Sequence, residues 1–559
     1  MSQTPKKQNF LHGAALLAMA TDIVKVIGAF YKIPLKMIIG DTGYGYFITA
    51  YDIYSVLLMI STAGLPIAMS RMISQVNALG RYNQVRRVYK TCRTIFLILG
   101  VLSCALMMLF CRELAAFQGQ PDAWASIACL APGSLLICIM SAFRGFFQGQ
   151  SDMRPTSSSQ ILEAAVKLVV GLAAAYALMF MTQSVALAAA GAILGVTISC
   201  VASTVFLYIK FRPAYAELPR TGDEPDSYAT TTKNLLAIAV PITIGSAGLQ
   251  LLAVLQTSLY MSQLRAGLDA TLSAAELDAL LTAYGYAGES LSRAGAIQYV
   301  MDTQKGIYNM AATISNMPCA FIVPITVSIL PAVTSHLTLN NHQAVKATEE
   351  SAARITGLIS LPCSVGLLVL ARPVMGLLGG YSGEKLELAS ALMCWLALTV
   401  FLYCISQLMA SILQAHGYAH LPVINMLLAG FVNLGVLFIL ARNPEIGILA
   451  APIGTNLCYL IICVLNIFCL YRTMKDRPAL MTNMLRPTIP AAIMGVAVCG
   501  CYWALENLLQ IHSNLILCAL PIMVGVAVYA LCAVAFKSIT REDCLLLPKG
   551  DTIARLLRL

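Results

Sequence analysis

Apolar residues run through this chain in long stretches of about twenty or more, separated by short polar segments. In hydrocarbon the backbone must satisfy its own hydrogen bonds, so runs of that length are helices rather than open sheet. About fourteen spans are predicted, centred on 12–36, 46–72, 92–112, 124–146, 158–181, 185–209, 235–261, 303–334, 353–372, 388–413, 421–441, 446–471, 487–508 and 514–536. The eighth exceeds one crossing and is expected to tilt, kink or protrude. The expected fold class is an all-α membrane protein.

Composition agrees with the pattern. Of 559 residues, 58% are hydrophobic and 11% charged, with mean hydropathy +0.77, whereas soluble domains carry about 25% charged residues. Asp22, Lys25 and Lys32 interrupt the first apolar run and no small-residue cleavage site follows, so it is read as a retained span. The 18 cysteines lack zinc or paired extracellular spacing and read as small apolar packing residues.

Lys and Arg settle the expected orientation. An even span count puts both termini on one side, and 24 of the 36 basic residues fall there, against 8 opposite. The positive-inside rule makes that side cytoplasmic, in the cell membrane. The net charge of +10 is mostly this bias, which points away from a nucleic-acid partner.

The chain also repeats. Leu65–Arg71 (LPIAMSR) resembles Leu330–His336 (LPAVTSH), and Phe147–Gln150 with Pro155 resembles Leu413–His416 with Pro422. Pro66 to Pro331 is 265 residues and Gln148 to Gln414 is 266. Six spans per half in one orientation predict a pseudo-twofold axis along the membrane normal. The expected domains are an N-terminal lobe 1–212, a cytoplasmic linker 213–233, a C-terminal lobe 234–478, and 479–559 with two added spans and a cytoplasmic tail. A shorter offset between Leu16 and Leu235 places an external insertion at about 263–300. Within it, Ser273 and Glu276 have capping-box spacing, with Gly285 as the stop.

Charge inside the spans carries the functional signal. Asp22, Lys25, Lys32 and Lys36 share one face of span one. Intramembrane charge lines wet cavities or pairs internally, so Lys25 and Lys32 are read as anion-binding with Asp22 beside them. Lys36 is expected to reach the outer interface, and Asp22–Lys25 has a plainer reading as a structural pair. In span eight, Asp302 and Lys305 are expected near the outer mouth, either lining it or reaching to the interface. Asn309, Thr313 and Asn316 lie deeper and either line the cavity or bond neighbouring helices. In span five, Gln160, Glu163 and Lys167 share a face, as a gate contact or as a routine helical pair. Pro66 and Pro331 are candidate hinges, with ordinary kinks as the alternative. No phosphate loop, zinc spacing or nucleophile elbow is present, so no catalytic or metal site is expected.

Three blocks carry a family likeness: Val26-Ile27-Gly28 through Tyr31-Lys32-Ile33-Pro34-Leu35; Ser61 through Arg71; and Arg144-Gly145-Phe146-Phe147-Gln148-Gly149 continuing to Pro155, Glu163 and Lys167. In these the chain resembles the polysaccharide-exporter branch of the multidrug/oligosaccharidyl-lipid/polysaccharide superfamily, and within it the SpoVB and MurJ-type lipid II flippases. The resemblance implies two six-helix lobes about a cationic cavity, with the two added helices forming a groove for a polyprenyl tail. It implies Lys25 and Lys32 as pyrophosphate-binding; Pro66, Arg71, Arg144, Gln148, Glu163, Lys167 and Pro331 are read beside it as gating or structural positions. The implied partner is an undecaprenyl-pyrophosphate-type lipid-linked glycan among membrane lipids, handled by a monomer without a cofactor. No arginine stands between Asn309 and Asn316, where members often carry one, which weighs toward a lipid-linked glycan other than lipid II. Coupling to membrane potential, Na⁺ or H⁺ stays open. The competing readings are a multidrug or cation antiporter of the same superfamily and a membrane enzyme of glycan assembly.

Overall fold

The structure is a computed structural model. It describes residues 5–536 and 538, apart from 63, 221, 287–290, 339–340, 444, 475–477, 512 and 537. Side chains are described from Ala20 on, except also at 22, 25, 29, 61–62, 241–242, 245–246, 249, 321–332, 335 and 338. The described residues form helices and short connections, with no strand among them. They divide into two compact units, Met1–Ser262 and Gln263–Leu559. Eleven described segments are long and apolar enough to cross a bilayer, making this a multi-pass membrane protein.

The first unit holds α1 (Pro5–Thr62), α2 (Leu65–Ala78), α3 (Tyr82–Leu109), α4 (Cys111–Phe117), α5 (Trp124–Gly149), α6 (Arg154–Thr182), α7 (Val185–Ala216) and most of α8 (Tyr228–Thr271). The second begins within α8 and holds α9 (Ala274–Ala283), α10 (Arg293–Thr338), α11 (His342–Val369), α12 (Ala371–Leu378), α13 (Gly383–Ala415), α14 (His420–Leu440), α15 (Ala450–Thr473), α16 (Leu480–Leu485), α17 (Thr488–Trp503) and α18 (Asn514–Ala535). The predicted segments 235–261 and 303–334 fall within α8 and α10.

Helix α1 contains the first predicted span and most of the second, whose end from Leu65 on belongs to α2; α1 is divided at Gly40, whose φ of 68° and ψ of −173° suit glycine alone. The break lets Lys36 fold onto Asp41, Nζ to Oδ1 at 3.3 Å, with both side chains buried. Lys36 is therefore paired inside the protein and does not extend to an interface. Pro66 stands in the first turn of α2, where a missing N–H costs no helical bond. Just before it, a β-carbon on Gly64 would strike the Ala239 carbonyl and Thr243 hydroxyl of α8.

Small residues let helices of this unit approach closely. Along α7, Gly191 and Gly195 face α6, and Gly195 meets the backbone of Gly171. A stacked aromatic group, Tyr89 on Phe211 at 4.6 Å with Phe146 and Tyr215 around it, joins α3, α5 and α7. The connection after α7 returns to the start of α3. There the Asp223 carboxylate accepts from the backbone N–H of Asn83 and Gln84, and Asp226 pairs with Arg81.

In the second unit, α13 packs against α10, α11 and α15. The capping-box helix is present as α9: Ser273 Oγ accepts from Glu276 N, and Glu276 reaches back to Ser273 N at 2.8 Å. It ends beside Gly285, at φ 73°. The last helices attach to this unit through α11, where Gly357 admits the Met484 carbonyl, Gly495 admits Val365, and Tyr529 donates to Leu358 O at 2.6 Å.

Candidate functional site

A cavity of about 410 Å³, lined by both polar and apolar side chains, lies within the first unit. Its walls come from α1 (Thr21, Val24, Leu58), α2 (Pro66, Ile67), α5 (Ile137, Ser141, Arg144, Gln148) and α6 (Gln160, Glu163, Ala164, Lys167). Pro66, Arg144, Gln148, Glu163 and Lys167, singled out separately from the sequence, thus share one space. Arg71 is exposed on α2 and does not line it.

Charge is arranged across helices rather than along them. Arg144 Nη2 lies 3.0 Å from Glu163 Oε2, and Arg144 Nε donates to Ser159 Oγ at 3.0 Å. The Ser159 hydroxyl in turn donates a hydrogen bond to Thr156 O, and the Ser159 carbonyl accepts from Ser203 of α7. Glu163 is therefore matched to Arg144 of α5, not to Lys167 one turn along its own helix. The Lys167 ammonium instead sits 5.9 Å from the centroid of the Tyr31 ring, at the outer range of a cation–π contact.

Lys32 lies within electrostatic reach of both Lys167 and the Asp52 carboxylate. Lys32, Lys167 and Asp52 are all half-buried. Among the described residues, no carboxylate forms a salt bridge with either lysine. The backbone of α1 passes through Asp22 and Lys25, but their side chains lie outside the described residues.

An aromatic stripe backs the cluster: Tyr31, Phe47, Tyr51 and Tyr54, with successive centroids 5.8, 5.0 and 6.0 Å apart. The Tyr44-Phe47-Tyr51-Tyr54 spacing of three, four and three residues was legible as one helical face, yet nothing local marked it as packing against Tyr31, which stands beside Lys167. Tyr31 is fixed by burial and by its hydroxyl, which donates to Ala192 O at 3.4 Å.

In the second unit, Asp302 and Lys305 are fully buried in α10, with Gln298 donating to Asp302 at 2.9 Å. They are interior groups, not residues reaching for an interface. Asn309 and Thr313 are half-buried, and Asn309 Nδ2 has no partner among the described residues. Asn316 lines a cavity of about 110 Å³ with Tyr308, Ser315, Tyr403 and Tyr459. Pro331's side chain lies outside the described residues. A separate cavity of about 300 Å³ is bordered by His342, Lys346, Glu349 and His416, with His416 Nε2 2.7 Å from the buried Glu349 carboxylate. That pair was not legible from the chain, since its partners are 67 residues apart. No described group of His, Cys, Asp and Glu has the arrangement of a metal site.

Comparison with known proteins assigns the family. The family described as Polysaccharide biosynthesis protein matches residues 10–336, over half the chain. The chain belongs to that family. A second family, Lipid II flippase MurJ, matches residues 291–519. Two curated relatives from Bacillus subtilis (strain 168) are each 24% identical. Stage V sporulation protein B aligns over 80% of this chain and 81% of its own, and Lipid II flippase MurJ over 93% and 94%. A solved structure of lipid II flippase MurJ in an inward closed conformation covers 95% of this chain and all of its own, with TM-score 0.65 and 14% identity. The fold is therefore shared with that solved structure.

Proposed function

We propose that this chain is an alternating-access flippase. It moves a polyprenyl-pyrophosphate-linked glycan precursor from the cytoplasmic to the outer leaflet, with lipid II as the favoured cargo. The observation that carries the reading is the cavity of the first unit, which Lys167 lines together with Arg144, Glu163, Gln148 and Gln160, with Lys32 within electrostatic reach of Lys167. Curated relatives that include a lipid II flippase support the same class.

The physics is direct. A pyrophosphate cannot cross hydrocarbon bare, because an isolated charge there costs tens of kcal/mol on a Born estimate. Lysine ammonium groups in a wet cavity replace its hydration as point charges, while the polyprenyl tail stays in lipid. Lys25 and Lys32 of α1 are proposed headgroup ligands with Asp22 beside them, and Asn309, Thr313 and Asn316 of α10 are proposed to bind the glycan. Pro66, Arg71, Arg144, Gln148, Glu163, Lys167 and Pro331 are proposed to shape or gate the path. The protein works as a monomer in the cytoplasmic membrane, with fourteen spans, both termini inside, and halves related by a pseudo-twofold. No covalent step is required, so the chain is a transporter rather than an enzyme.

The test is reconstitution into proteoliposomes with defined lipid-linked precursors, scoring headgroup arrival in the opposite leaflet with and without a membrane potential. Transfer of a polyprenyl-pyrophosphate glycan, lost in Lys25→Ala and Lys32→Ala, is expected. Exchange of organic cations without any headgroup transfer would instead identify an antiporter, and turnover of the lipid-linked sugar would identify an enzyme.

A further inference from the structure

We infer that His416 and Glu349 form a proton-operated latch in the second unit. With the imidazole charged, the pair fastens the end of α13 to the start of α11, and it releases as pH rises through the histidine range. The compartment it senses rests on the orientation proposed above, which puts this end of the unit in the cytoplasm.

The pair is deep yet reachable. His416 is the C-cap of α13 and Glu349 stands near the start of α11, with Nε2 and Oε1 2.7 Å apart. The Glu349 side chain is 2% exposed and that of His416 17%, so the carboxylate has almost no solvent and depends on its partner. Among the described residues no second cation lies within salt-bridge distance of Glu349. Both side chains border the cavity of about 300 Å³, which gives protons a way to the imidazole. Histidine changes charge between about pH 5 and 8. Loss of that charge leaves a buried carboxylate without its counter-ion, which is strongly destabilising. The latch therefore holds on the acid side and weakens as pH rises.

The surroundings leave His416 as the group on which the latch turns. On α11 the cavity is also bordered by His342 and Lys346, both exposed, and lysine keeps its charge throughout this range. Helix α10 presents Leu337 to the cavity, and α15 presents Thr473 and Met474, none of them titratable here. Lys475, Asp476 and Arg477, next in the chain, lie outside the described residues. Tyr418 and the exposed His420 follow His416 into α14. Farther along α11, Glu350 accepts from the Ala479 N–H at 2.9 Å, and Arg354 donates to Asn483 of α16 at 3.5 Å. Neither of those ties uses a histidine. Deprotonation thus frees the end of α13 from α11 while α16 stays fastened to it, so the two attachments of α11 respond differently to pH.

The experiment follows amide exchange of the full chain in nanodiscs from about pH 5.5 to about pH 8, corrected for intrinsic rates. In the wild-type protein, protection at 411–420 and 343–351 is expected to fall about tenfold across that range, while protection at 480–485 changes little. His416→Gln keeps a hydrogen-bond donor without a titratable charge, and it should flatten the profile, as should Glu349→Gln. His342→Gln should leave the profile intact. A flat profile in the wild-type protein overturns the latch, and so does a profile that persists in His416→Gln or disappears in His342→Gln. Exchange needs neither cargo nor orientation, so its failure leaves the carrier reading standing. Protease access to the 414–420 turn from the outer face of intact cells would instead overturn the cytoplasmic placement alone.

Discussion

Gly195 of α7 meets Gly171 of α6 backbone to backbone, and a β-carbon at Gly195 would overlap the Gly171 backbone. Where lipid tails are as apolar as side chains, helices associate by close packing, and only glycine permits this approach. Gly195→Ala is expected to lower stability by about 1–3 kcal/mol, read as a fall in the midpoint of thermal unfolding in detergent. Gly500→Ala in α17, where a β-carbon meets no atom within 4 Å, is the control and should be neutral or slightly stabilising. Equal responses at the two sites would remove the packing argument.

The Arg144–Glu163 pair bridges α5 and α6 with both side chains partly shielded, at 16% and 25% exposure. A fully buried pair broken on one side costs about 3–5 kcal/mol and an exposed pair about 1 or less, so Glu163→Gln should cost about 1–3 kcal/mol here. A double-mutant cycle with Arg144→Gln isolates the coupling. A coupling energy near zero would mean that the two charges do not sense each other.

Asp223 closes the start of α3 by accepting from the N–H groups of Asn83 and Gln84 at 3.2 and 3.1 Å. It tethers the connection after α7, which also lends the Leu218 and Pro219 carbonyls to Arg86. Capping interactions contribute about 1 kcal/mol, so Asp223→Asn should raise local opening by about fivefold. Faster trypsin cleavage after the exposed Arg220 and faster amide exchange at Asn83 and Gln84 are the readouts. High salt should act in the same direction on the neighbouring Arg81–Asp226 pair.

The capping box of α9 gives a pH dependence with a definite sign. The Ser273 backbone N–H, and then its hydroxyl, hydrogen-bond the Glu276 carboxylate and hold its pKa below the ordinary glutamate value. A depressed carboxylate stabilises the folded helix fully above the unfolded value of about 4.3, and that contribution fades as pH falls through the folded value. Amide protection in α9, corrected for intrinsic exchange rates, should therefore weaken on acidification below about pH 4.3. In Glu276→Gln that acid-dependent component should disappear. Persistence of the same pH profile in the variant would assign it to another group.

The class of this protein and the course of its helices were legible because bilayer length and hydropathy act locally. A run of apolar residues must be helical in lipid wherever its neighbours lie, and α13, α14, α15 and α18 fall where such runs predict them. The α9 capping box was equally legible, since Ser273 and Glu276 are one turn apart. Charge partners were not. Lys36 turns back onto Asp41 because α1 breaks at Gly40, and Glu163 finds Arg144 across a helix boundary instead of Lys167 along its own face. The sequence by itself determined a multi-pass helical protein with cations inside its spans and marked Lys32 and Lys167 individually. Only the tertiary structure decided that Arg144 is neutralised by Glu163 while those two lysines, 135 residues apart in the chain, come within electrostatic reach of one another. Coulomb interactions depend on distance in space, and helical periodicity fixes that distance only within a single helix.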